Sequence, residues 1–359
     1  MGAAGELDTT PRAGSPEATH QHRAATNRYG GDGSLRVLFT RPYFASGLSW
    51  SAYQPLLPDW ELTSCHPADL PDNLDGVDVV CPVGARVDAD LIGRGSFGLI
   101  QQLGVGLDAI DVPAATEAGV WVARLPADRT GNAASVGEQA VLLLLAVLRQ
   151  LDQSRAALRS GSWGSPAGRS LVDRQVVILG LGSVGTAVAQ RLVGFGCRII
   201  GVRAHPERGG PEGVDRVVGH QDLPGLLPDA DALICCALYE AGMPPLVDRA
   251  VLDGLTPGAI LVNVARGGLV DEGAVLDALE DGRLAGVGLD VVATEPPDLG
   301  HPLLAHPRAV ITPHVAGVTD NTFHTAGRLF AREVTRWASG QRPTFAVNTP
   351  AHPRGRCHG

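Results

Sequence analysis

Residues 176–192 read VVILGLGSVGTAVAQRL. Four consecutive apolar residues, Val176 to Leu179, suit a strand buried on both faces. They run straight into Gly180-x-Gly182-x-x-Gly185, and a helical stretch follows. A GxGxxG pattern carries weight only in this setting, between a buried strand and a helix. Gly180 permits the tight turn, Gly182 lets the backbone approach a pyrophosphate, and Gly185 lets the helix lie close to the strand. The helix N-terminus then presents free N–H groups and the positive end of its dipole to the phosphates. The stretch predicts a dinucleotide site built on Gly180, Leu181, Gly182, Ser183, Val184 and Gly185.

Working outward, strand and helix signals alternate in both directions. Downstream of RQVVILG (174–180) come RIIGVR (198–203), ALICCAL (232–238), AILVNV (259–264), AGVGLDV (285–291) and AVITP (309–313). Six parallel strands opening on a glycine turn describe a dinucleotide-binding domain. Upstream, LRVLFT (35–40), VDVVCPV (77–83), LIQQLGVG (99–106) and VWVARL (120–125) read as a first series. The stretch 134–158 reads as one long helix, with Glu138 and Arg149 bracketing an apolar middle that should be buried on most sides. Thr319 to Ser339 reads as a helix returning to the first series, with Phe323, Leu329, Phe330, Val334 and Trp337 at near-helical spacing and Gly340 as its cap. The expected fold is α/β, with two Rossmann-like, doubly wound parallel-sheet domains. Residues 139–317, the nucleotide-binding domain, are inserted in a substrate domain of 34–138 and 318–349. Residues 1–33 and 350–359 have no apolar period and read as disordered tails. Two domains joined by two crossings leave a cleft, the usual place for a small-molecule site.

Composition narrows the chemistry. The chain has 359 residues, 44% of them apolar, and a formal net charge of −9. That balance leaves no basic footprint for nucleic acid or an anionic membrane. The 29 basic residues are all arginine. Without lysine there is no Schiff base, no lysine general base and no P-loop lysine. Six cysteines, at 65, 81, 197, 235, 236 and 357, form no CxxC pair. Their spacing suits neither a metal site nor a disulfide framework and predicts a reducing, cytoplasmic compartment. Ala140 to Leu148, the longest aliphatic stretch, is too short to span a bilayer, and the N-terminus lacks the apolar core of a signal peptide.

The strand after the glycine helix sharpens the cofactor question. Such strands normally end in an acid that hydrogen-bonds the adenosine ribose. Here the strand ends in Arg203, and Arg208 follows in the same loop. An acid would repel a 2′-phosphate, whereas a guanidinium pairs with it bidentately. Arg203 therefore favours NADP(H), with NAD(H) possible; the alternative is that it stacks on adenine or is simply a solvated loop residue.

Three later strands end in reactive side chains. VNVARGGLVDE (262–272) places Arg266 at a strand's carboxyl end, GLDVVATEPP (288–297) carries Glu295, and AVITPHVAG (309–317) carries His314. Each alone has an ordinary reading as an ion pair, a loop residue or a structural histidine. Together they put an arginine, a carboxylate and an imidazole on one sheet edge opposite a nucleotide turn.

With LGLGSVG, VNVARGGLVDE, GLDVVATEP and TPHVAG in this order, and with QLGVGLDAIDVPAATEAGVWV (102–122) and SVGEQA (135–140) before them, the chain resembles the D-isomer-specific 2-hydroxyacid dehydrogenases over about residues 35–348. The resemblance implies a flavodoxin-like substrate domain, a homodimer paired through nucleotide domains, and reduction of a small 2-oxo acid to the D-2-hydroxy acid. It implies that Arg266 holds the substrate carboxylate and polarises the 2-oxo group. It makes His314 the general acid/base as nicotinamide delivers hydride to C2, and Glu295 the residue that orients the imidazole and stabilises its cation. Asp290 falls where the family contacts the nicotinamide carboxamide, and Val264 and Ala265 fall beside the cofactor. Val105 and Gly106 fall where backbone N–H groups receive the carboxylate.

Departures narrow the substrate. Phosphite-oxidising relatives have a lysine where Val105 stands, formate dehydrogenases a glutamine in place of Glu295, and phosphoglycerate dehydrogenases an arginine near Pro82. The expected activity is therefore in the style of glyoxylate/hydroxypyruvate reductases. The family's His/Leu-Pro-Leu-Thr stretch is CALYEAG (236–242) here. Two alternatives stay open: a specialised-pathway dehydrogenase for an unusual 2-oxo acid, and a non-catalytic, dinucleotide-sensing corepressor-like protein. Tyr43, Phe44 and Trp50 either admit an apolar substrate or are ordinary core.

Overall fold

The computed structural model describes residues 34–45, 47–240 and 242–354. The segment 1–33 and residues 355–359, expected as disordered, lie outside the described residues. The first half holds strands β1 (Leu35–Phe39), β2 (Trp60–Ser64), β3 (Val79–Cys81), β4 (Leu99–Gln102) and β5 (Trp121–Arg124), with helices α1 (Ala89–Arg94) and α2 (Val112–Glu117) between the later ones. All pair in parallel, in the order β2-β1-β3-β4-β5. This is the flavodoxin-like order, with the direction of winding reversing between β1 and β3. Successive residues of β1 serve opposite layers: Val37 and Phe39 join one core and Leu38 the other. The period of two is thus read out in packing.

Helices α3 (Asn132–Leu148) and α4 (Leu151–Arg159) lead into the second sheet. The single helix expected over 134–158 is in fact these two, bent by 52°. The break lies at Gln150, whose φ of +49° belongs to the left-handed region that halts a right-handed helix. Its amide donates to the Ala167 carbonyl across the bend. α3 is buried as expected, packed on the second sheet, whereas α4 buries no residue. Among the described residues no single helix is long and apolar enough to cross a membrane.

The second sheet comprises β6 (Gln175–Leu179), β7 (Arg198–Val202), β8 (Arg216–Val218), β9 (Ala232–Cys235), β10 (Ala259–Asn263), β11 (Leu284–Leu289) and β12 (Ala309–Ile311). Their order is β12-β11-β10-β9-β6-β7-β8, all parallel. Helices α5 (Ser183–Leu192), α6 (Arg249–Gly254), α7 (Glu272–Glu280) and α8 (Pro302–Ala305) connect them. Winding reverses between β6 and β9, which is where an open α/β sheet binds ligands. β6 again splits its side chains, with Val177 and Leu179 on one face and Val176 and Ile178 on the other.

Helix α9 (Asp320–Ala338) returns to the first sheet and buries Phe323, Phe330 and Val334 against Val37, Phe39 and Tyr53. Thr319 caps it by accepting the Thr322 N–H, and Gly340 beyond its end has a φ of +74°. The two crossings between the halves are stitched together by Ser135 Oγ, 2.8 Å from Thr319 Oγ1 and 3.1 Å from Thr322 Oγ1.

Residues 350–354 depart from the expected disordered tail. The Arg354 guanidinium donates to the Ile92 and Gly95 carbonyls, and its backbone N–H to Gly119 O. Loop carbonyls left free at the ends of α1 and α2 give this polar segment something to bind.

Candidate active site

The glycine turn has the geometry its sequence demands. Gly180 has a φ of +99°, and a Cβ there would lie 2.4 Å from Ala237 N on the neighbouring strand's loop. At Gly185 a Cβ would come within 2.0 Å of Gly180 O, so only glycine lets α5 seat against β6. At Gly182 an added Cβ would meet nothing within 4 Å. The backbone is thus open on the side where a pyrophosphate approaches, with Ser183 exposed at the first position of α5. Leu181 is core and Val184 half-buried. These residues fit a dinucleotide. Arg203, just past β7, donates from Nη1 to Gly209 O at 2.8 Å, and no carboxylate pairs with it among the described residues. The acid nearest in sequence, Glu207, pairs with His205.

Arg266 begins the turn after β10. Asn263, fully buried, accepts the Ala265 N–H and donates to the Arg266 carbonyl, which fixes that turn. The guanidinium donates from Nη1 to Ala265 O at 2.7 Å and from Nε to Asp108 Oδ2 at 3.1 Å. Nη2 lies directly over Gly106, where a Cβ would be 2.0 Å away. Arg266, on the second sheet, therefore meets Gly106 and Asp108, on the loop after β4 of the first. Val105 of that loop packs near Val184 of the glycine helix, around Ala127, Ala133 and Ala187. Arg266 thus meets Gly106 across the two sheets, and Val105 and Val184 pack on one alanine cluster.

His314 stands after β12 with a φ of +53°, sparsely populated by residues with a side chain. What holds it there is Asp290. This residue is 1% exposed, and its carboxylate accepts from Thr312 Oγ1 at 2.6 Å, Val315 N at 3.0 Å and Ala316 N at 2.9 Å. Its carbonyl accepts the His314 N–H at 2.8 Å. The expectation for Asp290 is a contact with the nicotinamide carboxamide. Its carboxylate faces the 312–316 loop, where three donors satisfy a charge that burial would otherwise penalise. Val264 is core and Ala265 half-buried beside it.

The imidazole Nδ1 lies 2.6 Å from Glu295 Oε2. The other carboxylate oxygen accepts the Val292 N–H at 3.2 Å. Burial opposes ionisation of Glu295, but the His314 hydrogen bond and charge, the Val292 N–H and the Arg266 charge together hold its carboxyl below the usual value. An ionised carboxylate can only accept, so the shared proton belongs to Nδ1 and Nε2 is left free to exchange one. The Glu295 loop also lies on the arginine turn: at Gly267 a Cβ would be 2.0 Å from the backbone of Val292. Arginine, carboxylate and imidazole thus belong to one packed unit.

Two contributors carry no mark in the sequence, Asp108 and Asn263. Both lie inside stretches quoted above, QLGVGLDAID and VNVARGG, but nothing local marks an acid whose partner is 158 residues away. Phe44 and Trp50 settle as core. Trp50 is 3% exposed and stacks on Phe39 at 4.3 Å, and Phe44 packs against Trp50 and Phe323. Tyr43 is 55% exposed.

Comparison with known proteins agrees with this geometry. Residues 141–316 match the family model for the D-isomer specific 2-hydroxyacid dehydrogenase NAD binding domain. The D-3-phosphoglycerate dehydrogenase of Mycobacterium tuberculosis is 36% identical over 267 residues, covering 73% of this chain and 49% of that one. The chain thus spans about half the length of such relatives. The TT0316 protein from Thermus thermophilus superposes with a TM-score of 0.75 at 30% identity, covering 87% of this chain and 100% of that one. A glyoxylate reductase from Paecilomyes thermophila gives 0.72 at 28% identity, covering 88% and 98%. Shared motifs, shared sheet order and the family match lead to one conclusion: the chain belongs to the D-isomer-specific 2-hydroxyacid dehydrogenase family.

Proposed function

We propose that the protein is an NAD(P)-dependent D-2-hydroxyacid dehydrogenase that reduces a small 2-oxo acid. The observation that carries this reading is the 2.6 Å contact of His314 Nδ1 with Glu295 Oε2, on the same packed unit as Arg266. The Arg266 guanidinium and the Val105 and Gly106 N–H groups receive the substrate carboxylate. His314 Nε2 donates a proton to the 2-oxo oxygen, and takes it back in the reverse direction. Glu295 keeps the imidazole aimed and balances its positive charge. Gly180, Gly182 and the first turn of α5 hold the dinucleotide, which supplies the hydride when bound.

Arg203 supports NADP(H), since among the described residues no carboxylate pairs with it and its guanidinium can meet a 2′-phosphate. Pro82 is buried at the end of β3 and offers no cation for a phosphorylated substrate. That supports an unphosphorylated acid, as in glyoxylate/hydroxypyruvate reductases. We assign substrate binding to residues 34–138 and 318–349 and dinucleotide binding to 139–317. Exposed Leu142, Leu151 and Leu158, with α4 burying nothing, support pairing of two copies through this face of the nucleotide domain. Among the described residues all five cysteines are free thiols, and burial pushes that of Cys235 up to about 12. This supports a reducing, cytoplasmic setting.

The test is oxidation of NADPH and of NADH with glyoxylate, hydroxypyruvate, pyruvate, 2-oxobutyrate and phenylpyruvate. Faster turnover with NADPH is expected. A higher kcat/KM with NADH would remove the 2′-phosphate role of Arg203 and leave the dehydrogenase intact. No turnover with any pair would favour the specialised-acid or sensor alternatives.

A further inference from the structure

The loop that presents Glu295 is tied down by a second carboxylate, and that one is itself paired with a second histidine. Glu272 opens α7, six residues after Arg266. Its Oε1 accepts the Ala293 N–H at 2.8 Å. Its Oε2 lies 3.4 Å from His301 Nε2, and its side chain is only 16% exposed. His301 is the N-cap of α8, where Nδ1 accepts the Leu303 N–H at 3.4 Å. A ring nitrogen that accepts carries no proton, so the neutral imidazole bears its proton on Nε2, which faces the Glu272 carboxylate as an ion-pair contact. The contacts run from His301 Nε2 beside Glu272, through the Ala293 N–H that Glu272 accepts, to the Glu295–His314 pair two residues on. At the near end Glu295 accepts from Val292, the residue before Ala293. The backbone of both rests on Gly267, where no side chain fits.

We propose that Glu272 is a positioning residue for the proton-transfer pair, setting where Glu295 and hence the His314 imidazole point. The inference rests on the reading of His314 as general acid/base. An exposed surface ion pair would contribute little. Glu272 differs in that its backbone hydrogen bond falls on the short arc between Gly267 and Glu295, where a small displacement is passed directly to the imidazole. Among the described residues no hydrogen bond of this run reaches Gly106 or Asp108, so the first sheet's hold on the Arg266 guanidinium is kept. A side chain that only stabilised α7 would lower the apparent kcat through loss of folded enzyme, so kcat is taken per NADPH-binding site titrated by fluorescence.

The test is steady-state kinetics of the full chain with NADPH and the best 2-oxo acid, for Glu272→Ala, Glu272→Gln and His314→Ala, with NADPH affinity followed by its fluorescence. Misplacement of a general acid by a fraction of an ångström costs on the order of tenfold in rate. Glu272→Ala is therefore expected to lower kcat about tenfold, with KM for the oxo acid and NADPH affinity unchanged. Glu272→Gln keeps an oxygen for the Ala293 N–H and restores kcat to within about twofold. Wild-type kcat in Glu272→Ala, or an equal loss in Glu272→Gln, overturns the proposal. If His314→Ala turns over like the wild type, the general-acid reading fails and the proposal fails with it. If His314→Ala is inactive while Glu272→Ala is normal, only the proposal fails.

Discussion

The two parallel sheets use their carboxyl ends differently. On the seven-stranded sheet every chemical group has a dedicated holder: Asn263 fixes the Arg266 turn, Asp290 the His314 turn, and Val292 N–H and His314 hold Glu295. These holders are buried or spend their hydrogen bonds on backbone, so the reactive atoms are pre-aimed. The five-stranded sheet brings backbone N–H groups, one aspartate and loops whose bulky aromatic residues point into its own core. On the proposed function, chemistry falls to the hydrogen-bonded edge and substrate fit to the loops of the other, a division suited to a fold that supports many substrates.

Substitutions separate the two edges by the size and kind of their effects. The largest is expected for His314→Ala, which should lower kcat by about 10²–10⁴ with little change in KM, read by NADPH absorbance. Arg266→Gln removes a charged grip worth about 1.5–3 kcal/mol. It should therefore cost roughly 10–100-fold in kcat/KM, mostly as a raised KM for the oxo acid. A loss in kcat alone would mean that the first sheet, not Arg266, holds the carboxylate. Glu295→Gln should lower kcat about tenfold at neutral pH. Its pH dependence is a sharper probe. The Glu295 carboxyl is held below its ordinary value, so the charged pair with His314 is intact above that range and lost only as pH falls through the lowered value. The wild type should keep its activity below the usual carboxylate range, and a kcat–pH profile of the Gln variant should lack this acid limb.

The smallest effect belongs to the first sheet. Asp108 pairs with Arg266 at 3.1 Å while both side chains are about a third exposed, 39% and 31%. Such pairs contribute up to about 1 kcal/mol, so Asp108→Asn should raise KM no more than about fivefold and leave kcat alone. A larger fall in kcat would move Asp108 to the hydrogen-bonded edge and blur the division.

The same division explains what can be read from the chain. Arg266 and Glu295 follow buried apolar strands and His314 an apolar, half-buried one, and a polar residue at such a strand's end stands out. β2 and β8 escape the reading because polar residues interrupt or lead them. WELTS has no fully buried residue, and RVV spans three residues. The bend at Gln150 has no proline or glycine as a marker, because a left-handed glutamine there is held by the Ala167 carbonyl rather than by its own preference. Asp108 and Arg354 act through partners remote in sequence, Arg266 and the carbonyls of 92, 95 and 119, which no local pattern encodes.

The contact of the Gly267 backbone with Val292 carries a consequence for the working cycle. Two turns that touch through bare backbone have no side chain to slacken between them. Any rotation that parts the halves must therefore carry arginine, carboxylate and imidazole as one body. What departs is the share of the first sheet: the Val105 and Gly106 N–H groups and the Asp108 carboxylate. On the proposed mechanism, opening the cleft strips the product of its first-sheet contacts and lets His314 Nε2 regain from water the proton it has given up.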